Sequence, residues 1–207
     1  MTAGTATARS VSADHHRYAL ILPGNWASIP MDDVEAMKAR VARLVKQQVP
    51  RDDRLAPMRR TIRQELLESA GRARSTGASL YALSLELLPG LPFPASLIAF
   101  DSDWPPGTPV IDDPALRLSA AFDGAQPVEG TTVPAVRRST LTQRRLNDAE
   151  TAVLDLEYWF AAPVTGLVCV MVSVPMCPAP EPITQLFDAI AASIHWAIPA
   201  TAAQVVS

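Results

Sequence analysis

The chain has 207 residues, 48% of them apolar and 19% charged. That composition can bury one core without metal or disulfide staples and excludes a disordered chain. The net charge of −3 argues against nucleic acid as a partner, because phosphate backbones demand a basic face.

No run approaches the ~18 uninterrupted apolar residues of a membrane span, and the start lacks the apolar core of a secretory signal. A cytoplasmic protein with reduced cysteines is therefore expected, with no membrane association. Positive charge carried mainly by arginine, with abundant Ala and Pro, suits a GC-rich bacterial genome.

Residues 1–16 are small and polar without apolar periodicity and read as a disordered tail. His15 and His16 close it, with no further metal ligands nearby. A single domain is expected over 17–198, followed by a flexible tail over 199–207. Tyr18, Leu20 and Leu22 alternate as a strand does. Pro23-Gly24-Asn25 supplies a turn, and Trp26 and Ile29 begin a second short strand.

Asp32, with Glu35 three residues on, predicts an N-terminal cap for a helix over 32–48. Val34, Met37, Val41 and Leu44 give that helix one apolar face. A second helix is predicted over 56–76, with Pro57 in its first turn and Gly77 at its stop. Its expected buried stripe is Met58, Ile62, Leu66, Ala70 and Ala73. Arg59, Arg60, Arg63, Arg72 and Arg74 lie mostly off that stripe. They read as a solvated face, with phosphate or an acidic partner as the functional alternative.

From Ala78 the period becomes alternating, through Tyr81, Leu83, Leu85 and Leu87, and LPGLPFP turns the chain into a return strand, ASLIAF. Residues 102–130 are rich in proline, and 112–122 fit either a short helix capped by Asp112 or Asp113 or a strand. Residues 130–146 read as an extended pair, and 147–151 as a turn.

Residues 151–197 form the clearest unit. Leu154, Leu156, Tyr158 and Phe160 take one side of a strand, and Val153, Asp155, Glu157 and Trp159 take a wetter one. The next run, GLVCVMVSVP, is apolar on both faces, which places it mid-sheet with layers above and below. A helix after Pro182 buries Ile183, Leu186, Phe187, Ile190 and Ile194 and ends before Pro199. The expected fold is α+β, an antiparallel sheet covered by helices on both faces.

Catalytic and metal signatures are missing from the sequence. It has no C-x-x-C, H-E-x-x-H or phosphate-loop pattern. Cys169 reads as core, and Cys177 follows the strand without a partner. His195, expected on the last helical turn, points away from Ser193. Asp101, Asp103, Asp112 and Asp113 lack the ligand series of a calcium loop. Asp155 with Glu157 is a carboxylate pair that any wet strand face shows. A non-enzymatic protein without cofactor or metal is expected. Its partner-binding candidates are Trp26, Arg59, Arg63, Trp104 and Trp159, because interfaces favour aromatic and arginine anchors. The alternative is a small-molecule-binding protein or small enzyme with a pocket between sheet and helices.

Leu22, Pro23 and Trp26 near the start, and Phe187, Ile190 and Ser193 in the last helix, form a Leu-Pro-x-x-Trp and a Phe-x-x-Ile-x-x-Ser motif. With these the chain resembles the PsbP-like family of α/β/α sandwiches. The resemblance implies a non-enzymatic accessory protein that docks on a larger partner, and it carries over no functional residues. The two helices expected over 32–48 and 56–76 depart from the family pattern, as does the absence of an export signal.

Overall fold

The computed structural model describes residues 9–12, 18–146, 149–163, 166–177 and 179–196. The fold is α+β. Four helices surround a seven-stranded antiparallel sheet, and a three-stranded sheet forms a further layer. In the small sheet β2 (Tyr18–Leu22) lies between β1 (Arg9–Ser12) and β10 (His195–Trp196). Strand β1 falls inside the stretch expected to be disordered. Pairing with β2 satisfies its backbone, which composition cannot reveal. The rest of that tail, with His15 and His16, lies outside the described residues, as does the expected tail over 199–207.

Gly24 carries the chain from the small sheet into the large one. Its φ is +81°, and an added Cβ would lie 2.3 Å from the Glu86 carbonyl oxygen. Only glycine fits there. Strand β3 (Asn25–Ile29) then takes the edge of the large sheet, so Asn25 belongs to a strand rather than a turn. Helix α1 (Val34–Gln48) follows. Its cap is Asp33, whose carboxylate accepts from the Glu35 amide at 2.8 Å, one residue later than expected. A short 3-10 turn leads into α2 (Ala56–Ser75).

The large sheet runs β3, β4 (Leu80–Leu88), β5 (Leu91–Ser102), β9 (Leu167–Pro175), β8 (Ala149–Ala161), β7 (Ala135–Leu146) and β6 (Gln126–Pro127). The strand read as buried on both faces, β9, is the middle one. The segment expected as an extended pair is a single long strand, β7, paired along its length with β8. That partner already includes Ala149 and Glu150 from the stretch expected as a turn. The undecided segment contains a helix, α3 (Pro114–Ala121). The Asp113 carboxylate accepts from the Ala115 and Leu116 amides and settles that choice.

One face of the large sheet presents Ala82, Leu97, Leu154, Leu156, Tyr158, Phe160 and the even-numbered valines of β9 to the small sheet and to α4 (Pro180–Ala192). Helix α4 is shorter than expected. Its last turn closes at Ser193, whose hydroxyl donates to the Ile190 carbonyl and accepts from the Ile21 amide. The chain then becomes extended, so His195 lies in β10 opposite Ala19 rather than on the helix.

The opposite face is covered unevenly. Helices α1 and α2 pack over β3, β4 and β5. Helix α3 packs at the far edge, where Leu118 and Phe122 meet Val136, Trp159 and Leu167. Between them the outward face of β9 and β8 is only partly covered, and Met171 and Ser173 are half-buried rather than buried.

Candidate functional site: a groove between the helix pair and the sheet

The stripe expected to bury α2 does so only at its C-terminal end. Ala70 and Ala73 are buried, Ile62 and Leu66 are partly so, and Met58 is 53% exposed. The N-terminal half of α2 therefore stands off the sheet. A chamber of 470 Å³ lies beneath it, lined by Leu44 and Val49, by Ile62 and Leu66, by Leu83 and Leu85, and by Val153 and Pro175. Its wall is almost wholly apolar, with Arg144, Ser173 and Ser96 at one side.

Those three residues also line a second cavity of 490 Å³, which follows β8 and β9 beside the C-terminal half of α2. This one is polar. Asp155, Glu157, Arg72 and Tyr81 contribute to it. Its floor is cross-linked, since Arg144 pairs with Asp155, and the Ser173 hydroxyl donates to the other Asp155 oxygen at 2.7 Å. Tyr81 and Ser69 share a hydrogen bond of 2.9 Å at its wall. Burial raises the Tyr81 phenol above its ordinary value. Together the cavities make a groove with an apolar half and a hydrogen-bonding half.

The other buried groups with raised values, Tyr18, Tyr158 and Cys169, are remote from nucleophilic chemistry. Burial, with help from Glu157, pushes the Cys169 thiol up to about 12, so it is a poor thiolate at neutral pH. Burial and then the charge of Asp188 raise Tyr158, whose hydroxyl donates to Asp188 at 2.9 Å. Cys177 is buried and unpaired in a disulfide. His195 is exposed and its Nδ1 lies 3.2 Å from the Ser193 carbonyl. Among the described residues no three His, Cys, Asp or Glu side chains gather to hold a metal. No helix there is long and apolar enough to cross a membrane.

The residues singled out as partner anchors do not converge. Trp26 is interior: its indole donates to the Pro23 carbonyl at 2.8 Å and meets Phe187 edge-on. Trp104 is half-buried with the Arg117 guanidinium 4.1 Å above its ring. Trp159 stacks on Phe122 at 4.3 Å, and the Arg138 guanidinium lies 5.3 Å from its ring centre. Arg59 Nη1 donates to the carbonyls of Pro50 and Asp52, and Arg63 is exposed beside it. Arg72 lines the groove instead, half a helix away.

Sequence reading placed Leu66 in the buried stripe of α2 and Val153 on the wetter face of β8, and assigned none of Leu66, Val153, Arg144 and Ser173 to a site. Two signals for them were present. The charged face of β8 required an uncovered strip of sheet, and Ser173 interrupts an otherwise apolar run.

No protein-family profile matches the chain, and no curated protein matches it. Among solved structures, the chain is similar to the solution structure of cyanobacterial PsbP (CyanoP) from Synechocystis sp. PCC 6803. The two are 12% identical, 94% of this chain and 95% of that one are covered, and the TM-score is 0.32. So low a value does not equate the two folds, and the likeness remains the one carried by the end motifs.

Proposed function

We propose that the chain is a non-catalytic binding domain whose ligand is a small molecule with an apolar body and a polar end. The observation that carries this reading is the apolar chamber of 470 Å³ that opens onto the Arg144–Asp155–Ser173 floor. Ligand sites are typically concave, mostly apolar and of about 300–1,000 Å³, with a few placed polar groups. The chamber takes the apolar body, and at its rim Arg144 offers a charged hydrogen-bond donor while the Ser173 oxygen, whose proton goes to Asp155, offers an acceptor. The non-catalytic half of the reading is supported by the raised Cys169 thiol and by the distance in the fold between His195 and the groove. A cytoplasmic location agrees with the two cysteines standing as thiols.

The test is fluorescence titration with N-phenylnaphthylamine, a neutral apolar probe. Saturable one-to-one binding is expected, and Val153→Phe or Leu66→Trp should abolish it by filling the chamber while far-UV circular dichroism stays unchanged. No saturable binding, or equal binding by both filled variants, overturns the proposal.

A protein partner is the second reading. It is favoured by Leu88 and Leu91, 49% and 52% exposed at the β4–β5 turn, and by Met176, 64% exposed just past β9. The strand register puts the turn and the exit of β9 at the same end of the sheet, beside the chamber. Pull-down from native lysate checks it. A stoichiometric protein lost on joint Leu88→Ser and Leu91→Ser substitution supports this reading over the first.

A further inference from the structure

We propose that the cleft between the C-terminal end of α1 and the N-terminal end of α2 binds a ligand carrying two or more phosphate groups. This cleft has a volume of 500 Å³ and lies on the outer side of the helix pair, sharing only Val45 and Val49 with the apolar chamber. Five cationic side chains line it: Lys46, Arg51, Arg59, Arg60 and Arg63. No carboxylate does, in a chain whose net charge is −3. Among the described residues none of the five makes an ion pair.

Such an arrangement works against folding. The amide dipoles of a helix place partial positive charge at its N-terminus, where acidic side chains stabilise and basic ones do not. The first turn of α2 has no acidic residue, and Arg59 and Arg60 stand at its start. Repulsion among the five cations adds to that cost, and a concave wall concentrates their field. A bound polyanion offsets both.

Arg59 has a distinct part in the cleft. Its Nη1 donates to the Pro50 and Asp52 carbonyls at 2.5 and 2.9 Å, which holds the connector, and Arg51 with it, against α2. Arg60, Arg63, Arg51 and Lys46 keep their donors for a ligand. Planar arginine forks match phosphate oxygens bidentately, and several on one wall favour a multiply charged ligand over a single carboxylate. Compact shape and acidic overall charge separate this site from a nucleic-acid stripe. Arg72 and Arg74, grouped with these arginines in sequence, lie at the other end of the helix and take no part.

Phosphates of this kind occur free or on a lipid headgroup, and two arms distinguish the sources. Isothermal titration of the full chain with inorganic tripolyphosphate at low salt should give one-to-one binding. Each arginine removed should weaken it about tenfold, so the joint Arg60→Gln and Arg63→Gln variant loses about a hundredfold. Arg74→Gln removes the same charge from the same helix and should bind like the wild type. Flotation with vesicles containing cardiolipin, whose headgroup carries two phosphates, is the second arm, read with the same variants. Binding to tripolyphosphate alone assigns a soluble ligand, and binding to vesicles alone assigns a headgroup. Binding to neither overturns the proposal, as does binding that the double variant retains or that Arg74→Gln weakens equally. The double variant is checked by circular dichroism, and Arg63→Gln alone is read if it fails to fold.

Discussion

Arg144 on β7 and Asp155 on β8 form an ion pair across the floor of the groove, and Ser173 on β9 fixes the free oxygen of Asp155. Half of the Arg144 side chain is exposed. Exposed pairs of this kind contribute roughly 0–1 kcal/mol, so the pair matters more to recognition than to stability.

That division gives a first expectation. Arg144→Gln should leave the melting temperature nearly unchanged and weaken binding of a dansyl-labelled fatty acid about tenfold, the loss of one charge-assisted hydrogen bond. The neutral probe N-phenylnaphthylamine should bind as before. Asp155→Asn should act oppositely on the carboxylated probe, because it releases Arg144 from its competing anion.

Asp188 ties α4 to the sheet. One of its oxygens accepts from the Tyr158 hydroxyl, and the other pairs with Arg137. These side chains are largely buried, with Arg137 only 13% exposed. Asp188→Asn leaves that guanidinium without its counter-charge and should cost about 2–3 kcal/mol. Tyr158→Phe removes one neutral donor and should cost about 1 kcal/mol. Urea denaturation of both variants measures the difference.

All three tyrosines of the chain, Tyr18, Tyr81 and Tyr158, are buried, and burial raises each phenol above its ordinary value of 10.0. Tyr18 is pushed up to about 12. A raised phenol binds its proton more tightly folded than unfolded, so its contribution is complete below pH 10 and is lost as pH rises towards the folded value. Cys169, raised from 9.0 to about 12, acts in the same sense from a lower pH. Thermal melts should therefore show stability declining above pH 9 and falling more steeply above pH 10. Absorbance at the tyrosinate band should appear only together with unfolding.

Gly24→Ala places a methyl group against the Glu86 and Leu87 carbonyl oxygens, 2.3 and 2.7 Å away, at a φ of +81°. The left-handed backbone alone costs an alanine about 1–2 kcal/mol, and the clash adds to it. Gly107→Ala, at a φ of +82° with open space around it, should show the backbone cost alone. Comparing their denaturation midpoints isolates the collision of residue 24 with the backbone of β4.

Local patterns in the sequence carried much of the architecture. The alternation of Leu154 to Phe160 and the doubly apolar run of β9 placed the central strands, because a strand must match each face to its surroundings. Stepwise apolar spacing located α1 and α2, and Asp113 with Pro114 offered the start of α3. Cap and boundary residues shifted where neighbouring groups compete for the same amides, as with Asp32 and Asp33. Strand β1 and the extended end at His195 were not legible, since each exists only through pairing with β2.

The groove was decided at the tertiary level. Sequence alone determined that α2 has an apolar stripe, that β8 has a charged face, and that arginines crowd one helix. It did not determine that the stripe lifts away from the sheet at Met58 and Ile62, leaving Val153 and Leu66 facing a chamber. Nor did it show that Lys46 and Arg51, outside the arginine helix, join Arg60 and Arg63 around one cleft while Arg72 leaves them. Periodicity fixes which way a side chain points from its own element. The distance to the opposing wall depends on how helices and strands remote in sequence pack, and cavities and charge clusters are made of those distances.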